Sequence, residues 1–574
     1  MAKFIETMKQ SFDPINSCDI CDAPRYRQFA QKPPKIRLPF RQQLWWLLAI
    51  AGLTRLLTLG SYPLTDLTEA RYGEIARKIL ETGQWIMPQI DYGVPFWGKP
   101  PLSFWLTAIS FKLIGVSEFA ARIPSFLLSI AICMLVFVLG RCRNGVDHGL
   151  RASVVTATSL LMMVCAGSVM TDPAMVLGTT LSMVAFWLAS TTSSRAWGYV
   201  FFLGLAIGLL AKGPVATVLT LAPIGIWSVL TGRIRTTWQG LPWITGTTLT
   251  ALLIVPWYWA AEAESPGFLH YFLIGEHWQR YTVSGWNGDL YGSGHPSPAG
   301  TIWLYALLGT LPWSPWLLWQ LLRGKVNVAL TPLRSTDGWM LYLVCWLFVP
   351  VAFFTTARNI LPTYVLPSLA GFGLLVADVW TQRHAQENPP RAGRLGLVTP
   401  VLGVLVVLVI WPYVGFQSQR EILSAYQDDL RRDVPLVYYK RRPYSAQFYS
   451  LGSAREIDDE ALLRRTLAEP GGSYVATERT ALEQMPDDLR QWLKIVAVSR
   501  TGKYVLLREE AGKQLVDATL SAPTLSSAQE EQDVPNASGK TTKINQHFES
   551  PHHLSCEQHC LVSHMRRQPR FTPP

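Results

Sequence analysis

Charge is what this sequence lacks. Asp, Glu, Lys and Arg make up 16% of its 574 residues, against about 25% in soluble proteins. That deficit excludes an ordinary water-soluble domain as the whole chain. No stripe of Lys and Arg interleaved with aromatics occurs, so the net charge of +11 does not read as a nucleic-acid surface. Cys18 and Cys21 lack the second ligand pair that a structural zinc site needs. No cleavable signal is expected. Residues 1–42 are polar and basic, and Leu44–Gly60 reads as an uncleaved anchor.

What the chain has instead is 49% hydrophobic residues and 23 Trp. Apolar runs recur from Leu44 to Val414, and a bilayer core needs roughly 20 such residues per span. Spans are expected near 43–60, 119–140, 152–170, 173–191, 197–211, 214–230, 241–260, 301–322, 338–356, 361–380 and 395–416. Lys32, Lys35, Arg37 and Arg41 precede the first, so the N-terminus is expected inside. The inside connections then carry Arg141, Arg143 and Arg151, Arg195, Arg233 and Arg235, Arg323, Lys325 and Arg334, and finally Arg383, Arg391 and Arg394. All obey the positive-inside rule. Pro101–Gly115 is too short to cross and reads as an interfacial or re-entrant helix.

The predicted organisation is a basic N-terminal segment (1–42), a membrane domain (43–416) with outer loops 61–118 and 261–300, a small α/β domain (417–510) and a disordered tail (511–574). Strand-like runs are Pro435–Tyr439, Lys494–Val498 and Tyr504–Leu507. The tail residues His552, His553, Cys556, His559, Cys560 and His564 are ligand types in a stretch without periodicity. They read as adventitious metal binders.

The ionisable residues of the outer loops carry the candidate chemistry. Asp66 and Glu69 have capping-box spacing before an amphipathic helix reaching Gly83. A carboxylate there could equally serve as a general base. Lys99, held before two prolines, either snorkels to headgroups or meets a lipid phosphate. Asp172 precedes Pro173, which suits a helix cap. Lys212 lies in a tight turn between two spans, where an ionisable group is costly enough to suggest function. Glu276 and Arg280 are spaced to pair on a helix, and Arg280 also suits phosphate. Arg358 and Tyr364 flank the last outer turn. Together these residues place carboxylates and phosphate-binding cations on one side of the membrane. A phosphate leaving group needs the cations, because charge grows on it as a glycosidic bond breaks.

The segments Glu69-Ala70-Arg71-Tyr72, Gly98-Lys99-Pro100-Pro101, Thr171-Asp172, Lys212-Gly213-Pro214, Glu276-His277-Trp278-Gln279-Arg280-Tyr281, Leu311-Pro312-Trp313 and Leu361-Pro362-Thr363-Tyr364 occur in order. In this set the chain resembles the protein O-mannosyltransferase superfamily of membrane glycosyltransferases, in its bacterial lipid A-modifying branch. The resemblance implies an all-α multi-pass GT-C fold of roughly 11–13 transmembrane helices with outer-face juxtamembrane helices and a small C-terminal α/β domain. It implies a polyprenyl-phosphate sugar donor, an inverting displacement, a lipid, glycan or protein acceptor, and a bacterial inner membrane with the site on the periplasmic face. Lys99, Arg280 and Tyr364 match positions that bind the carrier phosphate. Lys212 matches a cation of the same cavity, with Arg358 assigned beside it. Asp66, Glu69 and Asp172 form the acidic set, unranked. Arg71, Tyr72, Glu276 and His277 complete the site.

The chain departs from that family where Thr68 replaces the first acid of an Asp-Glu pair. It departs again at Gly98 and Gly275, the usual ligand positions of a divalent metal. A metal is therefore not assigned from the sequence. A transporter of lipid-linked sugars is the competing class, although no internal repeat of broken helices supports it.

Overall fold

The computed structural model describes residues 38–292, 295–323, 337–384, 393–410, 417–429, 434–469 and 472–509. Cys18, Cys21, the tail from 511 and its His/Cys group lie outside the described residues. The fold is a mostly helical membrane bundle with a small mixed sheet near the C-terminus. Among the described residues, five helices are long and apolar enough to cross a membrane: Glu118–Asn144, Asp172–Thr192, Arg195–Lys212, Trp243–Glu264 and Pro362–Gln382. Shorter apolar helices include Pro214–Leu230 and Trp339–Thr355.

Two expected spans are broken. The run at 152–170 divides into helices Val146–Ala157 and Leu160–Cys165, and the run at 301–322 into Thr301–Gly309 and Trp313–Leu322. The breaks bond to each other. Leu160 N donates to the Leu311 carbonyl at 2.9 Å, and Trp313 Nε1 donates to Thr158 Oγ1 at 3.0 Å. Thr399 Oγ1 donates to the Thr158 carbonyl at 2.5 Å. Irregular backbone at membrane depth survives only where protein covers it, and Thr158 is fully buried.

Helices Asp172–Thr192 and Arg195–Lys212 form a tight hairpin. A Cβ on Gly178 would sit 2.6 Å from the Gly204 carbonyl oxygen and from Gly208 N. Only small residues permit such an approach between membrane helices. The hairpin brings Asp172, at its start, level with Lys212, at its end.

Basic residues of the expected inside connections gather at one end of the bundle. Arg143 Nη1 meets Asp337 Oδ2 at 2.5 Å, and Arg233 Nη1 donates to the Asp337 carbonyl at 2.7 Å.

Between the helix Leu38–Thr58 and the long helix Glu118–Asn144 lie the amphipathic helix Glu69–Thr82, the hairpin β1–β2 (Gln89–Asp91 and Val94–Pro95) and the helix Leu102–Ile114. Gly83 ends the first of these with φ +73°, a left-handed cap that glycine adopts without a Cβ clash. The Asp66–Glu69 capping box does not form. Thr68 is the cap position and gives no side-chain bond.

The C-terminal sheet has five strands in the order β4-β3-β5-β7-β6. They are β3 (Leu436–Tyr439), β4 (Arg455–Ile457), β5 (Tyr474–Glu478), β6 (Leu493–Val498) and β7 (Tyr504–Glu509). β3 runs parallel to β4 and β5, while β7 is antiparallel to β5 and β6. The helix Tyr444–Tyr449 locks this domain onto the first loop. Lys78 Nζ donates to Gln447 Oε1 at 2.9 Å, and Arg442 Nη2 meets Asp91 Oδ2 at 2.6 Å.

Candidate active site

A cavity of about 1130 Å³ opens among the first loop, the 261–300 loop, the Asp172–Lys212 hairpin and the 357–364 turn. One part of its wall is ionic: Glu69, Arg71, Lys99, Asp172, Lys212, Glu276, Arg280 and Asp289. Another part is apolar, including Val164, Leu219, Leu402, Val406 and Val407. An anionic headgroup on an isoprenoid or acyl tail has that same division.

The cations are held by carboxylates. Lys99 Nζ meets Glu276 Oε2 at 2.5 Å. Arg280 Nη1 lies 3.3 Å from Glu276 Oε1 and 3.1 Å from Asp289 Oδ2. The helical pairing of Glu276 and Arg280 is therefore real, and it sits inside a longer chain of charges. Burial alone would raise the Glu276 pKa. The Lys99 and Arg280 charges outweigh burial and hold it below the ordinary carboxylate value. Among the described residues Arg280 Nε is buried with no hydrogen-bond partner, as is Arg71 Nε. Buried guanidinium donors left unpaired are costly.

Lys212 Nζ meets Asp172 Oδ1 at 2.6 Å and lies 5.0 Å from the Tyr364 ring centroid. Asp172 is not a cap, since Thr171 holds that position and the acid pairs across the hairpin instead. His277 fastens the outer loop to this turn. Its Nδ1 lies 2.8 Å from the Phe272 carbonyl oxygen and its Nε2 3.2 Å from that of Lys212. Burial lowers the His277 pKa. Arg71 bonds the Tyr291 carbonyl and packs 5.1 Å over the Tyr72 ring.

The structure separates some residues that the sequence grouped. Glu69 reaches the cavity wall, but Arg122 grips its carboxylate through Nε at 3.0 Å and Nη2 at 2.9 Å. Val169 N donates to the same carboxylate at 3.1 Å. Asp66 is not among the lining residues. It accepts from Ser445 N at 2.7 Å and from the Ser445 hydroxyl, clasping the C-terminal domain. Burial raises its pKa. Arg358 is exposed and also absent from the lining. Asn359 takes the inward position, donating through Nδ2 to the Arg280 carbonyl at 2.6 Å and the Val283 carbonyl at 2.7 Å. Sequence reasoning passed over Asp289, Tyr291, His295 and Arg55, all of which line the cavity. Asp289 lies nine residues from Arg280 in a loop without periodicity, so no spacing flagged it.

A divalent ion at the two glycine positions does not fit. A Cβ on Gly98 would meet Phe96 Cζ at 2.8 Å and Tyr291 Cδ2 at 3.3 Å. A Cβ on Gly275 would meet Trp286 Cη2 at 2.9 Å and Tyr271 Cδ2 at 3.4 Å. Aromatic rings occupy the space that ligand side chains would need. Among the described residues no group of three or more His, Cys, Asp or Glu is placed to hold a metal.

Residues 39–272 match the family described as dolichyl-phosphate-mannose-protein mannosyltransferase. Over 368 residues the chain is 31% identical to the undecaprenyl phosphate-alpha-4-amino-4-deoxy-L-arabinose arabinosyl transferase of Edwardsiella ictaluri, covering 60% of this chain and 62% of that protein. It is 30% identical to the second such transferase of Proteus mirabilis, covering 65% of this chain and 66% of the relative. The chain thus spans a little under two thirds of these relatives' lengths. The crystal structure of ArnT from Cupriavidus metallidurans bound to undecaprenyl phosphate superposes with a TM-score of 0.62 at 18% identity, covering 81% of this chain and 98% of ArnT. That likeness shows the fold.

Proposed function

We propose that this chain, an integral-membrane protein with the fold of ArnT and similarity in sequence to the aminoarabinose transferases, moves a sugar from a polyprenyl-phosphate carrier to a lipid, glycan or protein acceptor. The observation that carries the reading is the joining of Lys99, Arg280 and Lys212 around one cavity that also has an apolar part to its wall. The relatives named for an undecaprenyl phosphate sugar, and ArnT bound to undecaprenyl phosphate, support the donor class.

In the reaction an acceptor oxygen attacks the anomeric carbon. The new C–O bond forms as the bond to the carrier phosphate breaks, and the electron pair leaves with the phosphate. Lys99 and Arg280 meet that growing charge, with Lys212 and Tyr364 closing the cradle. Their carboxylate partners keep them aimed before the donor arrives, so little reorganisation is needed during the step. Among the acids, Asp172 is the one favoured at the centre. It aims Lys212, and its other oxygen has no hydrogen-bond partner among the described residues. Glu69 acts as a strut, and Asp66 ties the C-terminal domain to the first loop.

The reading places the site on the outer, periplasmic face of a bacterial inner membrane, with the N-terminus inside. The gathering of Arg143 and Arg233 at one end of the bundle supports that orientation under the positive-inside rule. A purified preparation offered a panel of polyprenyl-phosphate sugars, with a membrane extract as acceptor, tests the proposal. Release of free polyprenyl phosphate from one donor is expected. No release from any donor, with folded protein and a competent extract, would move the weight to a carrier-lipid transporter.

A further inference from the structure

The side chains able to take a proton at this cavity are nearly all engaged. Glu69 is gripped by Arg122. Glu276 lies between Lys99 and Arg280. Asp289 lies between Arg280 Nη1 and Tyr291 N, the latter at 3.0 Å. Asp172 pairs its charge with Lys212 through Oδ1, although its Oδ2 has no hydrogen-bond partner among the described residues. His277 has both ring nitrogens against backbone carbonyls. His295 differs. It lines the same cavity, is open to it, and its ring has no hydrogen-bond partner among the described residues.

Its position beside the phosphate-binding cations is fixed by backbone. Ile360 N donates to the His295 carbonyl at 3.1 Å, and Pro296 pairs with Asn359 in an antiparallel bridge. The same turn holds the other side of the cavity. Asn359 Nδ2 bonds the Arg280 carbonyl, and Arg358 N donates to the Tyr281 carbonyl at 3.0 Å. One turn therefore clamps His295 and Arg280 together, with Arg71 and Asp289 as the other charged groups acting on the ring.

We infer that His295 is the general base of the transfer, taking the proton of an acceptor hydroxyl as its oxygen bonds to the anomeric carbon. The carrier phosphate departs with the electron pair of the broken bond, and the proton ends on the imidazole. Partial burial, with the Arg280 and Arg71 charges, lowers the His295 pKa from its ordinary value against the opposing pull of Asp289. The ring is then neutral at neutral pH and has a free lone pair, as a base requires. Asp172 keeps the task of aiming Lys212.

This inference rests on the glycosyl-transfer reading, and its test separates the two. His295→Gln is compared with wild type for kcat against pH, using undecaprenyl phosphate-aminoarabinose with a membrane extract, and for binding of undecaprenyl phosphate alone. The expected result is a kcat lowered by at least about 100-fold. Carrier binding should stay within twofold, and the acidic limb of the wild-type profile should vanish. Near-normal turnover by His295→Gln, or an acidic limb that persists in it, would overturn the base role. A loss of carrier binding that matches the loss of rate would also overturn it, making His295 a donor contact. A wild-type protein that neither binds undecaprenyl phosphate nor releases it would refute the underlying reading instead.

Discussion

Asp172 and Lys212 are 40 residues apart and begin and end one helical hairpin, where their side chains meet at 2.6 Å. The close approach at Gly178, Gly204 and Gly208 makes that meeting possible. Enlarging Gly178 therefore reaches the site from within the bundle. Gly178→Val should push the helices apart and lower turnover more than tenfold while the protein remains membrane-inserted. Steady-state kinetics on the detergent-purified variant checks this, and unchanged turnover would separate the hairpin spacing from the chemistry.

Lys99 is expected to act on the donor. Lys99→Ala should raise the KM for a polyprenyl-phosphate donor by tenfold or more and leave the acceptor KM nearly unchanged. The change also strips Glu276 of a partner, so Lys99→Ala with Glu276→Gln serves as the control for buried-charge damage. Donor dependence equal to wild type in both variants would remove Lys99 from the phosphate site.

Glu69 tests strut against catalyst. Arg122 is fully buried and Glu69 is 7% exposed. Removing one partner of such a pair costs about 3–5 kcal/mol. Glu69→Gln should therefore lower the thermal midpoint, with activity falling in proportion to folded protein. A variant as stable as wild type but inactive would return Glu69 to the chemistry.

The aromatic filling of the two glycine positions makes a chelator prediction. Transfer should survive exhaustive dialysis against EDTA. Gly98→Glu should be impaired because its Cβ meets Phe96 at 2.8 Å. Loss of activity on chelation, restored by zinc, would contradict the misfit.

The Glu276 network predicts a pH response. A carboxylate held below its ordinary value stabilises the fold above the unfolded pKa, and that contribution is lost as pH falls through the folded value. The 261–300 loop should hold its structure through pH 4.5 and loosen only below it, as read from the fluorescence of Trp286. Loosening that begins well above pH 5 would contradict the ion-pair account.

Local signals were legible in the sequence. Apolar periodicity and Gly83 bounded the helix Glu69–Thr82, and short strand-like runs marked three strands of the terminal sheet. Among the candidate cations, Lys212 stood out because charge is costly in a tight turn between spans, Lys99 by its place before two prolines and Arg280 by its spacing from Glu276. What escaped were long-range partnerships. Nothing near Glu69 announces Arg122, and nothing near Asp66 announces Ser445, 379 residues away. The breaks at Thr158 and Leu311 were invisible because they are bridged by partners far away in the chain, Leu160 to Leu311, Trp313 to Thr158 and Thr399 to Thr158. Arg358 and Asn359 shared a turn whose inward side only the backbone path decides.

The most direct test of the account is turnover by Asp172→Asn beside wild type, with undecaprenyl phosphate release as the readout. The account predicts that the variant inserts, folds and binds undecaprenyl phosphate but releases almost none from the loaded donor. Normal release by Asp172→Asn would contradict the assignment of the Asp172–Lys212 pair to the centre of the reaction.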